Sequence, residues 1–162
     1  MPGYQSTIPA ALAGLMATLT AWPDLEGVEV RDGPKVTESK ALEVIGVGWT
    51  GEKMARTGAY PENVSPMAEV TTTVDTLSLT IAFETYPIRN VLAVLNGGRD
   101  IEPARTRAYA LLSACGAAIA ADKKLGGAVG MAYLGNHSMT QEQTQRGALV
   151  TIAFEVNCQA WT

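Results

Sequence analysis

The sequence predicts a single α+β domain in which two α-helices pack on one face of a mainly antiparallel β-sheet. Three observations carry this expectation. The chain has 162 residues, the size of one domain. Two segments place apolar residues at helical spacing, whereas most of the others alternate apolar and polar residues as half-buried strands do. The order reads helix, three strands, helix, two strands, without the regular strand–helix alternation that builds a parallel sheet.

The first helix is expected over residues 7–22. Ile8, Leu12, Leu15, Met16, Leu19 and Trp22 fall on one face of a 3.6-residue period. Ser6 or Thr7 can cap its start, Pro9 suits the first turn and Pro23 stops it. A short alternation at Val28–Val30 ends in the turn signal Asp32-Gly33-Pro34, and Ala41–Trp49 reads as a second strand. Thr50–Pro66 contains Gly51, Gly58, Pro61 and Pro66 and no apolar period, so it is expected to be a loop. In Thr71–Thr85, Leu77, Leu79, Ile81 and Phe83 alternate with Ser78, Thr80, Ala82 and Glu84, which predicts a strand with the Leu–Phe face buried. An apolar piece, Ile88–Leu95, leads to the turn Asn96-Gly97-Gly98.

The second helix is expected from about Ile101 to Lys124. Asp100 is a good cap, Pro103 sits in the first turn, and Lys123-Lys124 before Gly126-Gly127 mark its end. Its core stripe is Ile101, Ala104, Ala108, Leu111, Leu112, Cys115 and Ile119. Val129, Met131 and Tyr133 begin a strand, and Gly135–Arg146, rich in Gln and Thr, is expected to be a second polar loop. In the last strand, Ala148–Trp161, Val150, Ile152, Phe154, Val156 and Cys158 alternate with polar or small residues. Leu79, Ile81 and Phe83 are expected to share a buried layer with Ile152, Phe154 and Val156, under Leu112 and Ile119.

Composition excludes several classes. With 47% apolar and 17% charged residues the chain is not disordered, collagenous or a coiled coil. The net charge is −4, and no Lys/Arg cluster offers the phosphate-neutralising surface of a nucleic-acid binder. Ile8–Trp22 is too short to span a membrane and lacks the basic flank of a signal peptide, so a soluble protein that is not exported by a classical route is expected. Cys115 and Cys158 are too few for a disulfide framework and read as buried thiols in a reducing compartment.

No catalytic, cofactor-binding or metal-ligating set emerges. His137, the one histidine, lies in the polar stretch beside Ser138 without the nucleophile–base–carboxylate pattern of a triad, and reads as a solvated loop residue. Gly46-Val47-Gly48 is followed by a loop rather than a helix, so it is not a dinucleotide fingerprint. Gly97-Gly98 precedes a helix but lacks a Walker lysine. Glu38, Glu43, Glu52, Glu62 and Glu69 are scattered, without the pairing that acid–base chemistry or metal binding needs.

One anomaly stands out. From Ala108 to Ala121 the second helix has no charged residue across 14 positions. Its outward side at helical spacing is Ala110, Ser113, Ala114, Ala117, Ala120 and Ala121, and the first helix repeats the pattern with Ala11, Gly14, Ala17, Thr18 and Ala21. Surface helices normally carry Lys and Glu there. Alanine is also the best helix former, but two charge-free faces together predict a subunit of an assembly.

The C-terminal half carries a resemblance. Ala121-Asp122-Lys123-Lys124-Leu125-Gly126-Gly127 closes a helix; the strand Met131–Leu134, a Gln/Thr stretch and Gly147-Ala148-Leu149-Val150-Thr151-Ile152-Ala153-Phe154-Glu155-Val156 follow. This arrangement resembles the tail terminator (tail completion, minor tail U-type) proteins of long-tailed bacteriophages. The strand Thr72–Thr85, the Gly-Gly-x-Asp at Gly97–Asp100, Arg105 with Arg107, and the amphipathic opening helix resemble the family as well, whereas Tyr86–Leu95 is longer than its pattern.

The resemblance implies a structural virion protein, without catalysis or cofactor, that forms a ring, expected to be a hexamer, on the finished tail tube. The ring ends tube polymerisation and offers its other face to the head-completion (connector) protein, while DNA passes the lumen without specific binding. Its expected place is the head-proximal end of the virion tail, after assembly in the host cytoplasm. Interface residues are then expected at Ala110, Ala114, Ala117 and Ala121 on the helix. Arg56 and Glu62 in the first loop, and Gln141, Gln145 and Arg146 in the second, are expected to contact ring or tube. Alternatives are another neck protein such as a head-closure subunit, a tail-tube subunit, or a small enzyme using His137 or Cys158.

Overall fold

A computed structural model describes residues 4–33, 41–49, 70–78 and 81–162. Helix α1 (Ile8–Ala21) starts where Pro9 enters the first turn and stops before Pro23. A 3-10 turn (Pro23–Leu25) leads to β1 (Glu29–Asp32), then β2 (Glu43–Val47), β3 (Thr73–Thr76) and the long β4 (Ala82–Asn96). Helix α2 (Ile101–Ala121) follows, then β5 (Met131–Thr144) and β6 (Gly147–Trp161).

The six strands form one sheet in the order β1-β2-β4-β6-β5, and β3 joins β4 on the edge that β2 also uses. β4 and β6 are the backbone of the sheet, antiparallel from Phe83 opposite Trp161 to Asn96 opposite Ala148. β2 pairs with Val91–Val94 of β4, and β3 with Ala82–Thr85. Pro87 falls in the stretch between them that neither strand pairs, where a strand tolerates a residue without an N–H. β1 lies parallel to β2; the other pairings are antiparallel. Both helices cover the same face. From β6 that face buries Ala148, Val150, Ile152, Phe154, Val156, Cys158 and Ala160; α2 supplies Leu111, Leu112, Cys115 and Ile119, and α1 supplies Leu15 and Leu19. The expected α+β class, with two helices on one sheet face, is what is found.

Several local expectations are corrected. The strand expected over Thr71–Thr85 is divided. Leu77 and Ser78 amides both donate to the Ile81 carbonyl, closing a turn between β3 and β4. Leu77 and Ile81 are exposed, Phe83 lies on the face away from the helices, and the buried parity is Ala82, Glu84, Tyr86 and Ile88. Leu79 lies outside the described residues. The apolar alternation thus marks the face of the sheet that no described helix covers. The piece Ile88–Leu95 is simply the continuation of the same strand.

Gly135–Arg146 is not a loop. β5 runs through it to Thr144, turns at Gln145-Arg146 and returns as β6. Backbone pairing with β6 sustains an edge strand whose side chains need no burial. Gly147 closes that turn with φ +133°, and a Cβ there would stand 2.2 Å from the Asn96 carbonyl oxygen.

On the helices, Ala114 is buried rather than outward, because α2 packs on α1 as well as on the sheet and so buries a wider stripe. Ala11 is likewise buried, and Gly14 faces inward against Leu125, whose carbonyl oxygen a Cβ would meet at 2.2 Å. α2 ends at Ala121, three residues early. Asp122 turns its carboxylate onto the Gly126 N–H at 2.8 Å, and Leu125, at φ +49°, is driven into the core. Asp100 begins α2 without a side-chain cap. Thr50–Pro66, with Arg56 and Glu62, lies outside the described residues.

Candidate functional site

The surface divides by chemistry. On the helix side, Ala110, Ser113, Ala117, Ala120 and Ala121 of α2 are exposed, as are Ala10, Ala13, Ala17 and Ala21 of α1. On the opposite side no described helix covers the sheet. Its residues are the odd-numbered set of β4 and β6, from Phe83 to Leu95 and from Leu149 to Trp161, half-exposed except for buried Val91 and exposed Arg89 and Trp161.

The two sides are joined at the edges by polar contacts. Arg107, in the second turn of α2, grips Glu43 of β2 with two bonds at 2.5 and 3.1 Å, and that bond holds the guanidinium pKa above its ordinary value. Arg105 donates to Gln141 Oε1 at 2.8 Å, and Gln143 donates to the Arg99 carbonyl at 2.7 Å. These two contacts hold the far half of β5 against the start of α2. Of the residues expected at an interface, Ala110, Ala117 and Ala121 share the exposed helix face, Gln141 serves this internal contact, and Gln145 and Arg146 form the hairpin turn. Ala114 lies beneath the helix face and Arg56 and Glu62 are not described.

The densest polar cluster was not visible in the sequence. Glu84 is fully buried, and its carboxylate accepts hydrogen bonds from the hydroxyls of Tyr4, Ser6 (2.7 Å), Thr7 (2.7 Å) and Thr72 (3.1 Å) and from the Thr7 N–H (2.8 Å). Burial pushes its pKa up, but the bonds from Tyr4, Ser6 and Thr7 outweigh that and hold it down to about 2. Thr7 is the cap residue of α1 and makes no side-chain cap of its own. Glu84 therefore does from β4 what the acidic residue of a capping box does from within a helix. With the Thr7 hydroxyl proton on Glu84, the Tyr86 hydroxyl donates to Thr7 Oγ1 at 2.8 Å. Burial pushes the Tyr86 phenol well above its ordinary pKa. The residues lie up to 80 positions apart, and no spacing rule links them. The cluster is a structural knot: a carboxylate held this low and surrounded by donors is a poor base.

His137 sits just past a β-bulge between Leu134 and His137. Its ring meets Tyr109 edge-on with centroids 5.6 Å apart, and Nε2 lies 3.4 Å from the Tyr109 hydroxyl. A cavity of about 210 Å³ opens there, lined by Arg89, Asn136, His137, Ser138 and Glu155 among others. Arg89 and Glu155 are 3.8 Å apart on its wall. His137 pairs with Phe154 on the helix side of the sheet, whereas Ser138 pairs with Ala153 on the other, so imidazole and hydroxyl point apart. Cys115 and Cys158 are buried, and burial pushes both thiols up to about 12. Among the described residues no group of three or more His, Cys, Asp and Glu converges to hold a metal, and no helix is long and apolar enough to cross a membrane.

No known family model matches the chain, and no curated protein matches its sequence.

Proposed function

We propose that this chain is a tail terminator of a long-tailed bacteriophage, a structural subunit whose ring caps the tail tube and receives the head-completion protein. The observation that carries the reading is the exposed, charge-free face of α2 at Ala110, Ala117 and Ala121, on a small α+β subunit. An isolated helix in water gains nothing from excluding charge there, whereas an interface core does. The resemblance of the segment from the end of α2 through β6 to that family supplies the identity of the assembly. Two helices on the sheet favour a terminator over a tube subunit, which is expected to be mostly β. The acidic balance suits a lumen through which DNA slides, since like charge repels the backbone.

Negative-stain electron microscopy of the purified protein, alone and with the tail-tube protein of its own phage, tests the reading. Rings that stop tube growth are expected. A protein that stays monomeric with the tube present and leaves tube length unchanged would overturn it.

A further inference from the structure

The sheet face away from the helices is not uniform. At the end where β4 begins and β6 finishes, large apolar side chains crowd the surface. Leu77 is 64% exposed, Trp161 62%, Ile81 48%, Tyr133 45% and Met131 43%. Trp161 lies against Phe83, with ring centroids 4.7 Å apart. The strand register sets them in rows: Phe83 beside Trp161, then Thr85, Gln159 and Met131, then Pro87, Asn157 and Tyr133. The rows carry no net charge: Asp75 stands at the rim opposite Phe83, and the next row is the ion pair of Arg89 with Glu155, 3.8 Å apart. A patch of exposed Trp, Tyr, Met, Leu and Ile around a half-buried Phe is the composition of an interface core.

The opposite side of the same subunit offers the complement. The exposed face of α2 is flat and charge-free from Ala110 to Ala121, so bulky side chains can approach its backbone. Its rim is basic: Lys123 and Lys124 follow at once and are exposed, while the Asp122 carboxylate is turned inward onto Gly126. Large meets small, and the Asp75 carboxylate beside one surface meets the Lys123–Lys124 pair beside the other. The two surfaces lie on opposite sides of one chain, so their contact is head-to-tail, the kind that closes into a ring when the rotation allows.

We propose that, on one subunit, the aromatic end of the sheet face away from the helices packs against the charge-free face of α2 on the next copy. This rests on the ring reading and assigns the two surfaces that build the ring.

Trp161→Glu and Ala117→Glu each spoil one surface and leave the other intact. Sedimentation should find each variant monomeric, with wild-type circular dichroism. A 1:1 mixture should give a heterodimer and nothing larger, because one good junction remains per pair and neither end can propagate. If wild type forms rings and Trp161→Glu still forms them, or the mixture stays monomeric, the assignment fails while the ring reading stands. A wild type that is monomeric with the tube present overturns both.

Should a charged variant misfold, Gln159→Cys combined with Ala117→Cys in one chain replaces it, since the native thiols are buried. A short bis-maleimide should link assembled subunits into a ladder on a denaturing gel. Assembled rings that yield only single chains would overturn the assignment.

Discussion

Glu84→Gln keeps the shape of the side chain and removes its charge, and the structure shows what that does. One carboxylate oxygen accepts from the Thr7 amide and hydroxyl, the other from the hydroxyls of Tyr4, Ser6 and Thr72. A backbone N–H cannot reverse, so the glutamine carbonyl must stay on Thr7 and its NH2 must face the three hydroxyls. Those can rotate to accept, yet two N–H groups cannot serve three partners, and Tyr4, Ser6 and Thr72 compete. The hydroxyl left out is only partly buried and can turn to water, so the cost lies in losing the charge that strengthened each bond by about 1 kcal/mol, a total of about 3–5 kcal/mol. For a chain of this size that is a fall in Tm of about 6–20 °C.

Urea unfolding at pH 7 measures it. The pH dependence supplies a second check. The folded-state pKa is depressed from its ordinary value to about 2, so the contribution of Glu84 is fully present above the unfolded value and is lost as pH falls towards about 2. Wild type and variant should therefore converge in acid, draw apart as pH rises from about 2, and keep a constant gap above about pH 4.5. A difference below about 1 kcal/mol at neutral pH, or one that does not change with acid, would refute the account of Glu84 as the cap of α1.

Three further outcomes are expected. Phe154→Ala empties the centre of the core, where Phe154 is 1% exposed, and should cost about 3–5 kcal/mol by urea unfolding; under about 1 kcal/mol would mean that β6 shows its other face to the helices. Gly14→Ala should destabilise by about 1–3 kcal/mol despite alanine's better helix propensity, because the new methyl meets the Leu125 carbonyl; a gain in Tm would show that α1 stands off from that turn. Cys115 and Cys158 should resist a thiol reagent at pH 8 in the native protein and react on unfolding, since burial holds both thiols up to about 12; rapid native labelling would contradict their placement.

The helices were legible because their signals are local. Pro9, Pro23, Gly126-Gly127 and the apolar stripes act within a few residues, and both helices were placed to within one turn. The face of β4 was misread because alternation tells which residues share a side but not which side is covered. Leu77, Ile81 and Phe83 look like core and lie away from the helices, while the buried parity contains Glu84, which looks like surface. The part of β5 beyond Leu134 was missed for a related reason: an edge strand held by backbone bonds needs no apolar alternation, and Gln, Thr and Ser serve it as well as Val. The outward alanines of α2 were legible except Ala114, because contact with a second helix widened the buried stripe beyond what one period shows. The Glu84 knot depends on tertiary proximity alone and leaves no trace in spacing.

The position of β6 has a consequence for how the molecule is made. It is the last strand in chain order, yet it lies inside the sheet, between β4 and β5. Until its residues leave the ribosome, β4 and β5 have no common neighbour, and α2 faces two separated edges. α1 is made well before Glu84 and Leu125, which hold its two halves. Closure of the sheet therefore waits on β6, with α1's apolar stripe open to chaperones in the interval. A chain stalled before Gly147 has no route to the native sheet, so nascent fragments cannot pass for finished subunits.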